Sequence, residues 1–352
     1  MADRFGAPRE VLRRAIDHLA FPCAVVEVGD RTHPLWSESF GHLTFGAPSP
    51  AAAIDTVFDL ASLTKVLSTA PLMMRAVEQG LVGLDDPVSD HIPEWRGADR
   101  AAVTIRDLLS HASGLPAHRH YYKDLAAPGL VEYARAIAAE PLEYEPRTKA
   151  AYSDLGFMLL GFILDRDGRL ADRFAALKAE FAPADDLQFH PPGSWLARTA
   201  PTEIDWWRGR LLRGEVHDEN TYALGGVAGH AGLFGTAAAV GGFARHVLQV
   251  LGGRSGGFRA DTVTTFTTRR ADVPGSRALA WDTMLPTSSC GGLMSARAFG
   301  HTGFTGTSLW IDPARDVYVV LLTNRVHPTR ANIAIQDVRR ALHDAVMRAL
   351  TP

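Results

Sequence analysis

Apolar residues at helical spacing, with charged residues between them, open the chain in REVLRRAIDHLA, and the pattern predicts an amphipathic helix from Arg9 to Ala20. The next run, CAVVEVGDRTHPLWSESFG, changes character. Its β-branched residues, central turn residues and second short run predict a hairpin over 23–41. VTIRDLLSHASGL begins with a capping residue, Thr104, and predicts a short helix that ends by Gly114. SDLGFMLLGFILDRDG predicts a helix from Asp154 to Asp165, stopped near Gly168. Residues 171–207 mix helical and loop patterns. In residues 219–253 glycines come first and a helical pattern second. Near the carboxyl end, two apolar runs joined by DPARD predict a second hairpin over 306–324. The last stretch, from Arg330 to Leu350, predicts a long amphipathic helix.

Strand patterns therefore gather at both ends of the chain and helical patterns in the middle. The economical arrangement is an α/β (α+β) fold, with one antiparallel sheet built from both chain ends and the terminal helices packed on it. The expected division puts residues 1–60 and 225–352 in the sheet region and 61–224 in a mainly helical region, with a ligand cleft between them.

Composition narrows the classes. The 352 residues are 46% apolar and 21% charged, enough for a substantial core, and the net charge of −3 suggests neither a nucleic-acid surface nor a basic membrane face. The two cysteines, Cys23 and Cys290, are too few for a disulfide framework and read as small buried hydrophobes. The charged amino terminus has no apolar core of a secretion signal, and no apolar run reaches the length of a membrane span. The expected location is the cytoplasm.

Candidate chemistry centres on FDLASLTKVLSTAP, residues 58–71. On a helix, Ser62 and Lys65 share a face one turn apart. With Asp59 as cap, Ser62 would lie in the first turn, where free N–H groups and the helix dipole favour developing negative charge. A serine hydroxyl is a weak nucleophile until a neighbour takes its proton, and an amine can do so. Pro71 would kink or end the helix, but it lies more than a turn past Lys65. Alone, SxxK carries little information. Two further elements follow it in order: Tyr152, Ser153 and Asp154 just before a helix, then His301, Thr302 and Gly303 just before the last hairpin.

In this order and spacing the three elements resemble the motif set of the serine penicillin-recognising enzymes. The resemblance, from about Phe58 to Asn324, is to the group of class C β-lactamases, DD-peptidases and β-lactamase-like carboxylesterases. It implies Ser62 as the acylated nucleophile and Lys65 as its proton acceptor or a tuner of the base. It implies Tyr152 as general base and acid, a phenolate kept available by nearby cations. His301, Thr302 and Gly303 would line the cleft and hold the carboxylate or carbonyl end of the substrate. The N–H groups of Ser62 and Phe304 would form the oxyanion hole. Two positions depart from the usual pattern. Asp154 stands where many relatives have asparagine, and as a carboxylate it only accepts hydrogen bonds and raises the proton affinity of Lys65. His301 replaces the more frequent lysine, which would make substrate anchoring pH-sensitive and lower any preference for β-lactams.

The expected activity is hydrolysis of an ester or amide through an acyl-enzyme on Ser62, with no metal or organic cofactor. The partner is a small-molecule ester, amide or β-lactam, and neither nucleic acid nor a membrane span is expected. Absence of a leader favours an intracellular esterase or a cell-wall-recycling amidase over a β-lactamase or DD-carboxypeptidase. A non-enzymatic binder of wall fragments is the rival of another class, and the Ser62, Lys65 and Tyr152 set argues against it.

Several other motifs compete. GRSGG, 253–257, fits a nucleophile elbow around Ser255, but a helical pattern precedes it where a strand is required. His111, His118 and His120 lack a matching acid or thiol for zinc. His111 reads as structural, and the rest as a cleft-rim loop whose Tyr121 and Tyr122 touch substrate. Trp206 and Trp207 read as core, and the glycines of 226–242 as tight packing behind the cleft.

Overall fold

The structure, a computed structural model, describes residues 4–125, 129–165, 167–181, 186–254 and 256–351. Ser255 therefore lies outside the described residues. Among them, six strands form one antiparallel sheet in the order Pro34–Gly41, Cys23–Gly29, Val317–Thr323, Ser308–Asp312, Phe299–Thr302, Asp282–Thr283. Both predicted hairpins are present, and the pairing of Cys23–Gly29 with Val317–Thr323 joins the two ends of the chain.

Alternation along the strands explains the two cores. Ala24, Val26 and Val28 point to one face, where they pack with Leu12, Leu342 and Val346 of the terminal helices. Cys23 and Val25 point to the other, where they join a core with Val240, Phe243 and Val247 of the helix Ala237–Leu251. Burying each such aliphatic side chain contributes about 1.5–3 kcal/mol. Both cysteines are buried and unpaired, as the composition suggested.

Some boundaries shift for local reasons. The first helix is Gly6–Asp17, not 9–20: Pro8 fits its first turn, and Leu19 takes a left-handed φ of 58° that ends it. Thr104 caps its helix through a capping box with Asp107, but that helix stops at Leu109, since His111 is left-handed at φ 57°. The helix Asp154–Leu164 begins at a Ser153 cap, and the closing helix is Ile335–Leu350. Helices are the main regular elements in the middle of the chain, which also includes the short strands Leu187–Phe189, Ile204–Asp205 and Arg210–Leu211. No helix among the described residues is long and apolar enough to cross a membrane.

Candidate active site

The chain reaches Ser62 through a strained turn. Phe58–Asp59 is a two-residue strand paired with Leu233–Gly235. Two residues later Ala61 has φ 46°, a left-handed conformation that costs a non-glycine residue about 1–3 kcal/mol. Asp59 holds this turn instead of capping the helix: its carboxylate accepts from the Ala61 amide at 2.8 Å and from the His217 amide at 2.6 Å. The following turn closes with short-range bonds, Leu63 N to Leu60 O at 3.0 Å and Lys65 N to Ser62 O at 3.1 Å. Lys65–Thr69 is then π-helical, and an α-helix follows over Ala70–Glu78. Pro71 sits in the first turn of that α-helix, where its missing N–H costs little.

Two groups converge on the Ser62 hydroxyl, and a third joins them. Lys65 Nζ donates to Ser62 Oγ at 3.1 Å, and the Tyr152 hydroxyl lies 2.7 Å from the same oxygen. Asp154 Oδ1 accepts from both partners, from Lys65 Nζ at 2.7 Å and from the Tyr152 hydroxyl at 3.1 Å. A third acceptor for Lys65, the His230 carbonyl at 3.0 Å, comes from the glycine-rich segment. That segment packs tightly behind the site: a Cβ on Gly161 would meet Gly229 N at 2.6 Å, so neither helix nor loop tolerates a side chain there.

The His301–Gly303 triplet closes the opposite wall. His301 and Thr302 extend past the short strand Asp282–Thr283, which pairs only with Phe299 and Gly300, so their outer edge is open to the cleft. The loop after them is clasped to the Ser62 turn. Thr305 Oγ1 donates to Asp59 O at 2.7 Å and Thr307 Oγ1 to Leu60 O at 3.0 Å. Gly303 must be glycine, because a Cβ there would meet Leu60 O at 2.6 Å. Arg339 of the closing helix supports the loop from below through the Gly303 and Thr307 carbonyls, at 3.0 and 2.8 Å. The amides of Ser62 and Phe304 donate to no acceptor among the described residues. The Phe304 ring is half exposed and stacks on the Arg325 guanidinium, 4.4 Å from its centroid.

The electrostatics differ from the expectation in two ways. Burial opposes the Lys65 ammonium, but the Asp154 carboxylate and Tyr152 overcome it and raise its proton affinity. Burial also opposes the Asp154 carboxylate, yet Lys65 and His118 hold it well below the ordinary range. Burial first, and the Asp154 charge second, push Tyr152 up to about 12. At rest the phenol is therefore protonated, not a standing phenolate. Forming the phenolate at pH 7 costs about 7 kcal/mol for a gap of about five units. His301 departs too. Burial, then the Lys65 and Arg277 charges, hold its imidazole neutral well below its usual range, so it does not titrate near neutrality. Its Nδ1 pairs with Thr302 O at 2.8 Å.

The cleft has a volume of about 930 Å³, and Ser62, Tyr152, His301 and Phe304 line it. Three further lining groups complete the site: Arg277 and His230, which no motif marked, and His118 of the expected rim loop. Arg277 reaches over the Tyr152 ring, its guanidinium carbon 5.7 Å from the centroid, and has no carboxylate partner among the described residues. His118 Nδ1 faces Asp154 Oδ2 at 3.4 Å. His230 lines the wall behind Lys65 and bonds Asp218 at 2.9 Å. Arg277 belongs to no motif, so nothing in the sequence marked it. His118 lay in a loop noted for its histidines, but its partner was legible only in three dimensions.

The competing motifs resolve as follows. His111 is buried, accepts from the Ser153 amide at 3.1 Å and stacks on Tyr152, so it is structural. His118 and His120 line the cleft, whereas Tyr121 and Tyr122 are buried and do not. Trp206 is 67% exposed rather than core, with the Lys123 ammonium over its ring. No group of three or more metal-ligating side chains forms a metal site among the described residues.

Comparison with known proteins identifies the family and the fold. A family model described as Beta-lactamase matches residues 9–343. A protein of Escherichia coli strain K12 named "Putative D-alanyl-D-alanine carboxypeptidase" is 33% identical over 312 residues, which cover 78% of this chain and 70% of that one. Among solved structures, EstCE1, described as a hydrolase with promiscuous acyltransferase activity, superposes with a TM-score of 0.77 at 22% identity over 98% of each chain. A penicillin-binding protein homologue from Caulobacter crescentus gives a TM-score of 0.75 at 21% identity, covering 99% of this chain and 98% of the other.

Proposed function

The chain belongs to the β-lactamase family of serine hydrolases, and from that premise we propose that it hydrolyses short peptides or amides ending in a free carboxylate, through an acyl-enzyme on Ser62. In this reading Tyr152 first gives its proton to solvent, and Ser62 Oγ then attacks the scissile carbonyl while its own proton passes to the phenolate oxygen, 2.7 Å away. Lys65 stays an ammonium and stabilises that phenolate before the transfer, from 5.0 Å above the ring. The Ser62 and Phe304 amides, free of other acceptors among the described residues, receive the oxyanion. Tyr152 returns the proton to the leaving group, and water then releases the acid.

The observation that carries the substrate class is Arg277. It is a fixed cation without a carboxylate partner among the described residues, in a cleft where His301 is held neutral. A substrate carboxylate supplies the missing partner, and Arg offers a two-pronged match to it. The D-alanyl-D-alanine ending named for the curated relatives has this chemistry. An ester hydrolase without need of a carboxylate is the second reading, favoured by the volume of the cleft, about 930 Å³.

Turnover of a D-Ala-D-Ala peptide, its C-terminal amide and a p-nitrophenyl ester, side by side, tests the proposal. The free-acid peptide is expected to exceed its amide by at least tenfold in kcat/KM, and Ser62→Ala to abolish all three activities. Equal rates on acid and amide would remove the carboxylate from the account.

A further inference from the structure

Asp154 uses its two carboxylate oxygens on different partners. Oδ1 serves Lys65 and Tyr152, at 2.7 and 3.1 Å. Oδ2 faces His118 Nδ1 at 3.4 Å. The backbone fixes this second pairing. Asp154 N donates to Ala117 O at 2.8 Å and Ser153 Oγ to Pro116 O at 2.6 Å, so the loop holding His118 is tied to the start of the Asp154 helix. His118 also lines the cleft, with its side chain 35% exposed, so it exchanges protons with solvent while Lys65 is fully buried and Asp154 mostly so.

The other charged groups near His118 are already engaged. Asp218 binds His230 at 2.9 Å and the Thr221 amide at 2.7 Å. Glu219 binds Arg330 at 2.8 Å. The His120 ring is edge-on at 5.3 Å, and the neighbouring Arg119 turns away to Glu140 at 3.0 Å. Asp154 is thus the carboxylate that His118 meets directly.

We propose that His118 is a positioning residue for the Ser62 reaction, whose ionisation sets how much of the Asp154 charge bears on Lys65 and Tyr152. The proposal rests on the acyl-enzyme reading above. An imidazolium beside Oδ2 offsets the carboxylate and makes the Tyr152 proton easier to lose; a neutral imidazole leaves the full negative charge on the pair. An asparagine at position 154 would carry no charge to offset, so this control exists only because Asp154 is a carboxylate. The Asp154 contact itself raises the proton affinity of His118, which puts the change above the ordinary histidine value.

The test is the pre-steady-state burst of p-nitrophenol from a p-nitrophenyl ester, followed from about pH 5 to about pH 10, together with the mass of the phosphonylated protein. Wild type is expected to show an inflection above about pH 6.5, in addition to an alkaline rise. His118→Gln should lose the inflection and keep full phosphonylation of Ser62. His118→Lys, a permanent cation, should move the alkaline rise to lower pH and acylate severalfold faster than wild type near its foot. An inflection that survives in His118→Gln, or an alkaline rise that His118→Lys leaves in place, would overturn the proposal. Absence of phosphonate on Ser62 in wild type is a different failure. It would remove the acyl-enzyme reading and this proposal with it.

Discussion

The Tyr152 hydroxyl stands 3.1 Å from Asp154 Oδ1, so the phenol beside Ser62 is held against a carboxylate. Burial first, and that contact second, make Tyr152 a strong base and a rarely ionised one. It also couples the site to pH through Asp154.

Replacing Asp154 by asparagine should therefore move activity toward lower pH. Burial and the Asp154 charge raise Tyr152 to about 12. Without the charge, the proton leaves at lower pH, and the alkaline rise in the acylation rate should shift down by about one unit, roughly a tenfold gain at fixed pH on its slope. A pH–rate profile of the Asp154→Asn burst measures it. An unmoved profile would take Tyr152 out of the rate-limiting proton transfer.

Removal of Arg277 should separate substrates by charge. Arg277→Ala is expected to raise KM for a free-acid peptide by about tenfold to a hundredfold, the scale of a hydrogen bond to a charged group. A neutral ester should change by less than about threefold, and Arg277→Lys should recover part of the loss. Parallel kinetics on the two substrates check this.

Much of this site was legible in the sequence. SxxK, the Tyr152–Asp154 element and the His301–Gly303 triplet are short local patterns, and the hydrophobic periodicity around them identified the helix after Ser153 and the hairpin after Gly303. Groups recruited from elsewhere were not legible. Arg277 and the His230 carbonyl reach the site through tertiary packing, which leaves no spacing to detect. Sidedness was equally hidden: Tyr122 lies in the short helix Tyr121–Asp124 and Trp206 in a turn, and neither sequence says which ring turns inward. The Asp59 error has a similar source, since an acidic residue before a helix reads as a cap whether it binds the helix or, as here, the turn and a distant His217 amide.

Gly303→Ala should damage catalysis without unfolding the protein. Its Cβ would press on Leu60 O and on Thr307 Oγ1, and so displace the Phe304 amide from the Ser62 turn. The expected loss in kcat is about 10²–10³, the cost of removing one oxyanion donor. Thermal unfolding run alongside kinetics separates this from a general loss of structure.

A stability effect is expected at Glu203, beside the cleft-lining His217 and Arg330. Burial opposes ionised Glu203, yet His217 at 2.8 Å and Arg330 at 2.6 Å hold its proton affinity down to about 2. A depressed carboxylate stabilises the fold above its unfolded value of about 4.3 and loses that contribution as pH falls toward the folded value. Urea midpoints of wild type should drop between about pH 4.5 and about pH 2.5. Glu203→Gln should start lower at neutral pH and fall less steeply.

The central claim is that a covalent intermediate forms on Ser62. Intact-protein and peptide mass spectrometry after a fluorophosphonate, and after an acyl ester quenched in the burst, tests it directly. The account predicts one added group per chain, on the peptide containing Ser62, and none in Ser62→Ala. Turnover with no adduct, or an adduct on another residue that persists in Ser62→Ala, would contradict it.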